Sequence, residues 1–254
     1  MPPSTLRFIG TNYALNAATT ILAVTSEDAN FPGVNVKVRD RYIVWKSTST
    51  SGVDINLDLD IGTGKTVAVV GVLGFRPAGV NISPTTVNVL SGTTYPGGLT
   101  NVVSISTILK RDMHALVTPS GNRYWRFSFS LSTNQFSVGK VLLGTIDDLG
   151  IAYSPGSAEA PGRTRSRVVT VMGAPVIRDQ GDVMNRLRYQ FRSVPQATRD
   201  KLITYLNLSA MPKALLTPFD QPIEFIPDQD FQTVEHAWGP PDLYNLDFQV
   251  MALP

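Results

Sequence analysis

The sequence predicts a mostly β protein, in which a jelly-roll-like β-sandwich is followed by a small α+β domain. Apolar and polar residues alternate with a period of two in several segments, as at Val53, Ile55, Leu57 and Leu59, which are separated by Asp or Asn. Because successive strand side chains point to opposite faces, each such segment is expected to be a half-buried strand of an antiparallel sheet. Many short strands at this spacing are typical of sandwiches and barrels.

The elements predicted in the first part of the chain are all strands. They cover residues 20–25, 53–60, 66–73, 86–90, 102–109, 124–131 and 138–144. Residues 66–73 are apolar on both faces, which is typical of a central strand. Gly, Pro and Asn lie between these segments and favour turns there.

The second part is predicted to combine strands with one helix. The strands are expected at residues 167–172, 186–192 and 244–251. The helix is expected from about Pro195 to Leu208, with Pro195 near its first turn and Ser193 as a capping residue. Residues 153–166 are small, polar and rich in Pro and Gly, which indicates a linker or exposed loop. We therefore predict a β-sandwich over residues 1–152, this linker, and an α+β assembly domain over residues 167–254.

Composition excludes several kinds of chemistry. The 254 residues include no Cys and only two His, so we expect no disulfide, no metal site and no cofactor. The net charge of +2 gives no global case for nucleic-acid binding. The longest apolar run, near residues 67–75, is too short for a membrane span, and the first residues lack a signal-peptide pattern. We therefore expect no membrane insertion.

Two motifs that resemble ligand loops are better explained as ordinary structure. Gly64-Lys65-Thr66 matches the end of a phosphate loop, but Leu59 stands where that loop needs glycine, and a strand follows. We predict a hairpin turn with an exposed lysine. Asp54, Asp58 and Asp60 resemble part of a calcium loop, yet Leu59 again replaces the required glycine. We expect a solvated acidic face, and the sequence leaves open whether a metal ion binds there.

No nucleophile motif supports catalysis. The sequence contains no G-x-S-x-G segment, and neither His114 nor His236 stands in a recognisable catalytic pattern. We therefore predict that the protein is not an enzyme and rank a hydrolase, built on either histidine, as the lowest alternative.

Charge is distributed unevenly in the second part. Residues 163–201 contain nine basic and three acidic residues, whereas residues 214–254 contain seven acidic and no basic ones. Arg186, Arg188 and Arg192 share one face of a predicted strand, and Asp247 lies on an outward row of the last strand. Two explanations stay open: a salt-bridged face within the chain, or an interface in which basic and acidic faces of neighbouring copies meet.

The three tryptophans receive different predictions. Trp125 lies on an alternating apolar face and is expected in the core, and Trp45 is expected in the core or at its rim. Trp238 stands beside two prolines, where we expect it to be exposed. It is therefore a candidate for an inter-subunit contact, together with the three arginines and Asp247, and a candidate for contact with a glycan.

The first 150 residues resemble the galactose-binding-like, discoidin-type sandwich family. The segments that carry the resemblance are residues 22–47, 53–75, 122–131 (NRYWRFSFSL) and 138–144 (VGKVLLG). The resemblance implies a jelly-roll sandwich and, in many members, carbohydrate binding. The usual Cys pair of the family is absent here, so the resemblance supports the fold more strongly than it supports sugar binding.

The whole chain also resembles tail-tip or baseplate proteins of tailed bacteriophages, of the distal-tail or minor-tail type. Residues 186–206, 218–229 and 243–253 carry this resemblance. It implies a non-enzymatic structural component of the virion, assembled in the host cytoplasm as a symmetric ring with copies of itself and other tail proteins. The alternative is a carbohydrate-binding module that recognises glycans of the host surface.

Overall fold

The computed structural model describes most of the chain. The described residues are 7–38, 40, 42–78, 84–107, 112–150, 158–162, 167–171, 174–178, 184–207, 213–216, 222–236 and 242–252. They belong to two compact units: a sandwich unit of residues 9–147 with 220–222, and a second unit of residues 1–8, 148–219 and 223–254. Among the described residues, no helix is long and apolar enough to cross a membrane.

Short strands make up nearly all of the regular structure up to residue 148. They are β1 (Arg7–Asn12), β2 (Thr20–Val24), β3 (Trp45–Lys46), β4 (Val53–Asp60), β5 (Val67–Leu73), β6 (Arg76–Pro77), β7 (Thr86–Gly92), β8 (Thr100–Ser106), β9 (Met113–Ser120), β10 (Tyr124–Ser132), β11 (Phe136–Val138) and β12 (Lys140–Asp148). Two short 3-10 turns, Tyr13–Leu15 and Gly33–Lys37, lie between the first strands.

The sandwich consists of two antiparallel sheets. One has five strands in the order β2-β4-β10-β7-β8, and the other contains β1, β12, β5 and β9 as successive neighbours. A third, smaller sheet has the strand order β3-β11-β6. The predicted mostly β class is confirmed. Since β4 and β5 belong to different sheets, the turn at residues 62–64 joins the two sheets, and the prediction of a hairpin there is wrong.

The core lies between the two sheets. Ile55, Leu57 and Leu59 of β4 are fully buried, and Trp125 and Phe127 of β10 pair beside them in the register Trp125 to Leu59 and Phe127 to Leu57. Burying each such side chain contributes about 1.5–3 kcal/mol. The alternation that predicted inward and outward residues on these strands is confirmed.

The tryptophans of the sandwich follow the prediction. Trp45 and Trp125 are both fully buried. Trp45 packs edge-on against Phe129 and Phe136, with ring centroids 5.5 Å apart in each pair. Such edge-to-face pairs stabilise a core beyond the area they bury.

The second unit combines strands with one helix. Its elements are β13 (Ala158–Gly162), β14 (Arg167–Val171), β15 (Ala174–Arg178), β16 (Met184–Pro195), α1 (Gln196–Asn207), β17 (Lys213–Leu216), β18 (Pro222–His236) and β19 (Leu243–Ala252). Within this unit the strand order is β13-β16-β19-β18-β17, and β14 and β15 form a separate pair. Tyr189, Phe191, Leu246 and Phe248 form its buried core with Leu202 and Leu206 of the helix.

The helix predicted from about Pro195 to Leu208 is confirmed as Gln196–Asn207, and Pro195 is the last residue of β16, directly before it. One local prediction in this unit needs correction. Ser193 does not cap the helix in the described structure: its φ is +54°, and its backbone N–H donates to Asn245 Oδ1 at 3.3 Å, at an irregularity in the pairing of β16 with β19.

Part of the stretch predicted as a linker is a strand. Ala158–Gly162 forms β13 and pairs with β16, with Ala158 opposite Arg188. Residues 151–157 and 163–166 lie outside the described residues. A strand at the edge of a sheet tolerates Pro and small residues because only one side of its backbone has to pair, which explains why composition alone suggested a loop.

Candidate functional site

An open cleft of about 600 Å³ lies in the sandwich unit, and we call it the β2 cleft. It is lined by residues of β2, of the chain just before it, and of the segment that contains the 3-10 turn Gly33–Lys37. Its polar side chains are Thr19, Thr20, Glu27 and Lys37. Its apolar lining comes from Ala17, Ile21, Val24, Pro32 and Val34. Its volume lies within the range of small-molecule sites.

Gly33 brings the 3-10 turn close to β2. A Cβ atom at this position would lie 2.5 Å from Val24 Cγ2, so a larger residue requires either the Val24 side chain or the turn to move. The Gly33 N–H donates to Glu27 Oε2 at 2.6 Å. A charged acceptor makes this hydrogen bond stronger than a neutral one, and it holds the Glu27 carboxylate in a defined place.

The segment around the cleft is fastened to the body of the sandwich. The indole N–H of Trp45 donates to the carbonyl of Ser26 at 3.1 Å, and the side-chain amide of Asn35 donates to the carbonyl of Val44 at 2.8 Å. Ser26 Oγ accepts from the backbone N–H groups of Thr48 and Ser49 at 3.1 and 3.0 Å. The walls are therefore largely fixed before any ligand binds, which lowers the entropic cost of binding.

The cleft presents both charge signs and an apolar surface. The Lys37 ammonium donates to the carbonyl of Thr19, which uses one of its three N–H groups. Glu27 supplies one carboxylate, so the two formal charges cancel. Val34 is 55% exposed, although it is a large aliphatic residue. Such a cleft suits a neutral ligand that both donates and accepts hydrogen bonds and has an apolar side.

The expectation of a solvated acidic face on β4 is wrong for two of its three carboxylates. Asp58 is only 2% exposed, and Arg126 of β10 binds both of its oxygens at 2.7 Å. Arg123 likewise donates two hydrogen bonds to the Asp60 carboxylate, from Nε and Nη2. Hydrogen bonding to Arg123 is the main reason that the pKa of Asp60 lies below its ordinary value of 3.8. Asp54 is exposed. Sequence reasoning missed the arginines because they lie more than sixty residues downstream.

No metal cluster accompanies these carboxylates. In the part of the chain that the structure describes, no group of three or more His, Cys, Asp or Glu residues is arranged to hold a metal ion. His114 lies on β9 opposite Gly71, and His236 lies on β18 opposite Tyr244. Lys65 lies half-buried with its ammonium 5.1 Å from the centre of the Tyr13 ring.

The structure brings two of the predicted interface residues together within the chain. Arg188 of β16 donates to Asp247 of β19 through Nε at 3.0 Å, and a second hydrogen bond joins Arg188 Nη2 to Asp247 Oδ2. This pairing, followed by Gln190 at 2.9 Å, lowers the pKa of Asp247, and Arg192 adds a smaller Coulombic contribution. Burial opposes the shift. The salt-bridged face therefore exists, and the role of these residues between subunits stays a prediction.

Two other predicted site residues are described less fully. Arg186 pairs with Met251 through the backbone, but its side chain lies outside the described part. Trp238 lies wholly outside the described residues, so the predictions of an interface or glycan contact at Trp238 have no structural counterpart here.

Sequence reasoning did not single out the β2 cleft. Its residues lie within or just before residues 22–47, which carry part of the family resemblance, but Glu27 and Lys37 belong to no named motif. The sequence feature that could have indicated the cleft is the Pro32-Gly33 turn, with the acidic residue Glu27 six positions before Gly33. Such a pattern predicts a turn and does not by itself predict a cleft.

Comparisons with known proteins find structural similarity over part of the chain only. No protein-family model matches the chain, and no curated protein matches it. Several solved structures are similar to about half of it. The family 32 carbohydrate-binding module of NanJ from C. perfringens, in complex with galactose, has a TM-score of 0.44 and 13% identity, and the match covers 56% of this chain and 99% of that one. The chitosan-binding module 1 of a Paenibacillus chitosanase/glucanase has a TM-score of 0.43 and 16% identity, covering 54% and 100%.

The same comparison also finds a much larger protein. The structure of SpGH29 has a TM-score of 0.43 and 18% identity, covering 54% of this chain, which spans only 28% of that protein's length. Similarity at this level does not assign a function, and what these proteins bind is a property of those proteins.

Proposed function

We propose that this protein is a non-enzymatic carbohydrate-binding protein that holds a saccharide in the β2 cleft. The observation that carries the proposal is the cleft itself: a carboxylate and an ammonium are held beside exposed aliphatic surface by a segment that is hydrogen-bonded into place. We propose that the protein acts at a surface that displays glycans, because its proposed partner is found there.

The chemistry of a neutral sugar matches this lining. Each hydroxyl donates one hydrogen bond and accepts others, so a carboxylate acceptor and an ammonium donor can bind neighbouring hydroxyls. Glu27 keeps acceptor capacity beyond its bond to Gly33, and Lys37 keeps donors beyond its bond to Thr19. The C–H face of a pyranose ring is apolar and can pack on Val34 and Pro32.

The test compares two lysine substitutions on a glycan array, with calorimetry for the best saccharide. Lys37→Met keeps the aliphatic stem and removes the charged donor, while Lys65→Met makes the same change away from the cleft. Losing a hydrogen bond from a charged group weakens binding by about tenfold or more. We expect that loss for Lys37→Met and wild-type affinity for Lys65→Met. Equal affinity in both variants, or no saccharide bound by the wild type, contradicts the proposal.

A second candidate function is a structural role in a phage tail tip or baseplate, within the virion. Charge favours it: Arg192 is an exposed basic residue of β16, while residues 214–254 of the sequence carry seven acidic and no basic residues. Neighbouring copies can then pair basic with acidic surface. Light scattering of the wild type and Arg192→Glu tests this candidate. We expect an oligomer that the substitution weakens, and a monomer at every concentration contradicts it.

A further inference from the structure

The outer face of the five-stranded sheet carries a second set of features, which we call the tyrosine face. It consists of Tyr95 and Tyr124, the carboxylate–arginine pairs beside them, and a row of Asn and Ser side chains on β4, β10, β7 and β8. The strand residues of this set alternate with the buried core residues of the same strands, so they lie on the side of the sheet that faces away from the core. Tyr95 lies in the connection between β7 and β8 and contacts this side through Asp58. This face does not include the β2 cleft.

Two tyrosine rings are fixed at one end of the face. Their centroids lie 5.7 Å apart with a 38° angle between the ring planes, and both residues are half-buried. The Tyr95 hydroxyl donates to Asp58 Oδ2 at 2.8 Å. Burial and this hydrogen bond raise the pKa of Tyr95, so the hydroxyl stays a donor at neutral pH. The Arg123 guanidinium lies 5.0 Å from the centre of the Tyr124 ring.

The formal charges on this part of the face cancel. Arg126 is paired with Asp58, and Arg123 is paired with Asp60, each through two nitrogens. Charges that are matched one to one within the face leave no net field to attract a charged partner. The face therefore favours a partner that is itself neutral.

A polar row continues across the sheet from this pair of rings. The Asn88 side-chain amide donates to Ser130 Oγ at 2.7 Å, and Ser104 Oγ donates to Asn88 Oδ1 at 2.6 Å. In the same row, Asn56 lies opposite Ser128, and its side-chain oxygen is buried without a hydrogen-bond partner. From Tyr124 to Ser130 the strand extends about 20 Å, at about 3.4 Å per residue.

We propose that the tyrosine face binds an extended, neutral polysaccharide chain, with Tyr95 and Tyr124 as the stacking platform and the Asn and Ser side chains as partners for successive hydroxyl groups. Rigid aromatic rings offer large contact area at a low entropic cost, because their side chains are already held in place. Fixed side-chain donors and acceptors along a sheet face suit a repeating, hydroxyl-rich polymer. This proposal does not depend on the β2 cleft.

Affinity electrophoresis in gels that contain soluble polysaccharides tests the proposal. The probes are the neutral polymers dextran, galactomannan and xylan, and the anionic polymers alginate and polygalacturonate. Tyr124→Ala removes one ring and leaves both carboxylate–arginine pairs with their charged partners. Leu116→Ala removes a comparable exposed side chain on β9 of the opposite sheet. Loss of a central aromatic contact weakens binding by about tenfold.

We expect at least one neutral polymer to retard the wild type and the Leu116→Ala variant equally, and to retard Tyr124→Ala about tenfold more weakly. Tyr95→Ala should weaken retardation as well, because it removes the second ring of the face. Thermal unfolding confirms that each variant is folded. No retardation by any neutral polymer overturns the proposal, as does retardation by the anionic polymers alone. A dimer that Tyr124→Ala dissociates also overturns it, since the face would then be covered by a second copy.

Discussion

Asp58 shows how a single residue departs from its pattern position. Alternation places it on the outer side of β4, where an isolated carboxylate would be solvated, yet it is only 2% exposed. Arg126 from the neighbouring strand and Tyr95 from the β7–β8 connection cover it and supply three hydrogen bonds. A carboxylate that has lost its water in this way depends on all of its protein partners.

We predict that Arg126→Gln lowers the free energy of unfolding by about 2–3 kcal/mol, because it leaves a buried carboxylate without its charged partner. The expected loss is smaller than for a fully enclosed ion pair because the arginine side chain is 25% exposed to solvent. Adding Asp58→Asn should recover most of the loss, since the pair is then neutral. Urea unfolding of the wild type, the two single variants and the double variant measures both effects. A double variant as unstable as the sum of the single variants contradicts the coupling.

For single residues, the sequence correctly predicted which face of a strand a side chain occupies, but it did not predict which residues that side chain contacts. The period of two placed Leu57 inside and Asp58 outside, and both positions are correct. It did not predict that Asp58 would be covered, because Tyr95 lies 37 positions downstream and Arg126 lies 68 positions downstream. Contacts over such separations depend on which strands become neighbours, and alternation within one strand carries no information on that.

The β16–β19 pair is the best-defined element pair of the second unit. Its register places Gln190 opposite Asp247 and Arg188 opposite Gln249, so the Arg188–Asp247 bond is diagonal. Diagonal neighbours on one sheet face are within reach of long side chains such as arginine. The pairing links residues that are 59 positions apart.

We predict a coupling between Arg188→Gln and Asp247→Asn that depends on pH. The pKa of Asp247 in the folded protein lies below its ordinary value of 3.8, mainly because Arg188 hydrogen-bonds to it. The stability from this pair is therefore present above 3.8 and is lost as the pH falls through the folded-state value. A double-mutant cycle near neutral pH should show a favourable coupling that disappears in acid. A cycle with no coupling near neutral pH, or with one that grows in acid, refutes this pairing.

The sequence predicted some strands and the helix of the second unit, because these have periodic apolar residues, but it missed the strand β13. The strand at residues 186–192 and the helix after it have apolar residues in clear periods, and both elements exist, with the helix starting at Gln196. Ala158–Gly162 has no such period because its residues are small, so its strand follows only from backbone pairing with β16. Periodicity reports side-chain burial, and an edge strand can form with little of it.

At the scale of the whole molecule, the sandwich unit combines a buried core with two surfaces that have different properties. The β2 cleft is concave, and its carboxylate and ammonium are held by the segment around the 3-10 turn. The tyrosine face carries two fixed rings and charges that cancel. Strand alternation predicted the sheets behind both surfaces, whereas the cleft arises from the path of a connecting segment, which alternation does not determine.

The most direct test of the central claim is a heteronuclear NMR titration of the whole protein with the saccharide that binds most tightly on the array. We predict that the largest chemical-shift changes at low saccharide concentration occur in the backbone amides of the β2 cleft, with Gly33 and Thr20 among them, and that Lys37→Met abolishes them. Large changes confined to residues away from the cleft, or no change with any saccharide, would contradict carbohydrate recognition at this site.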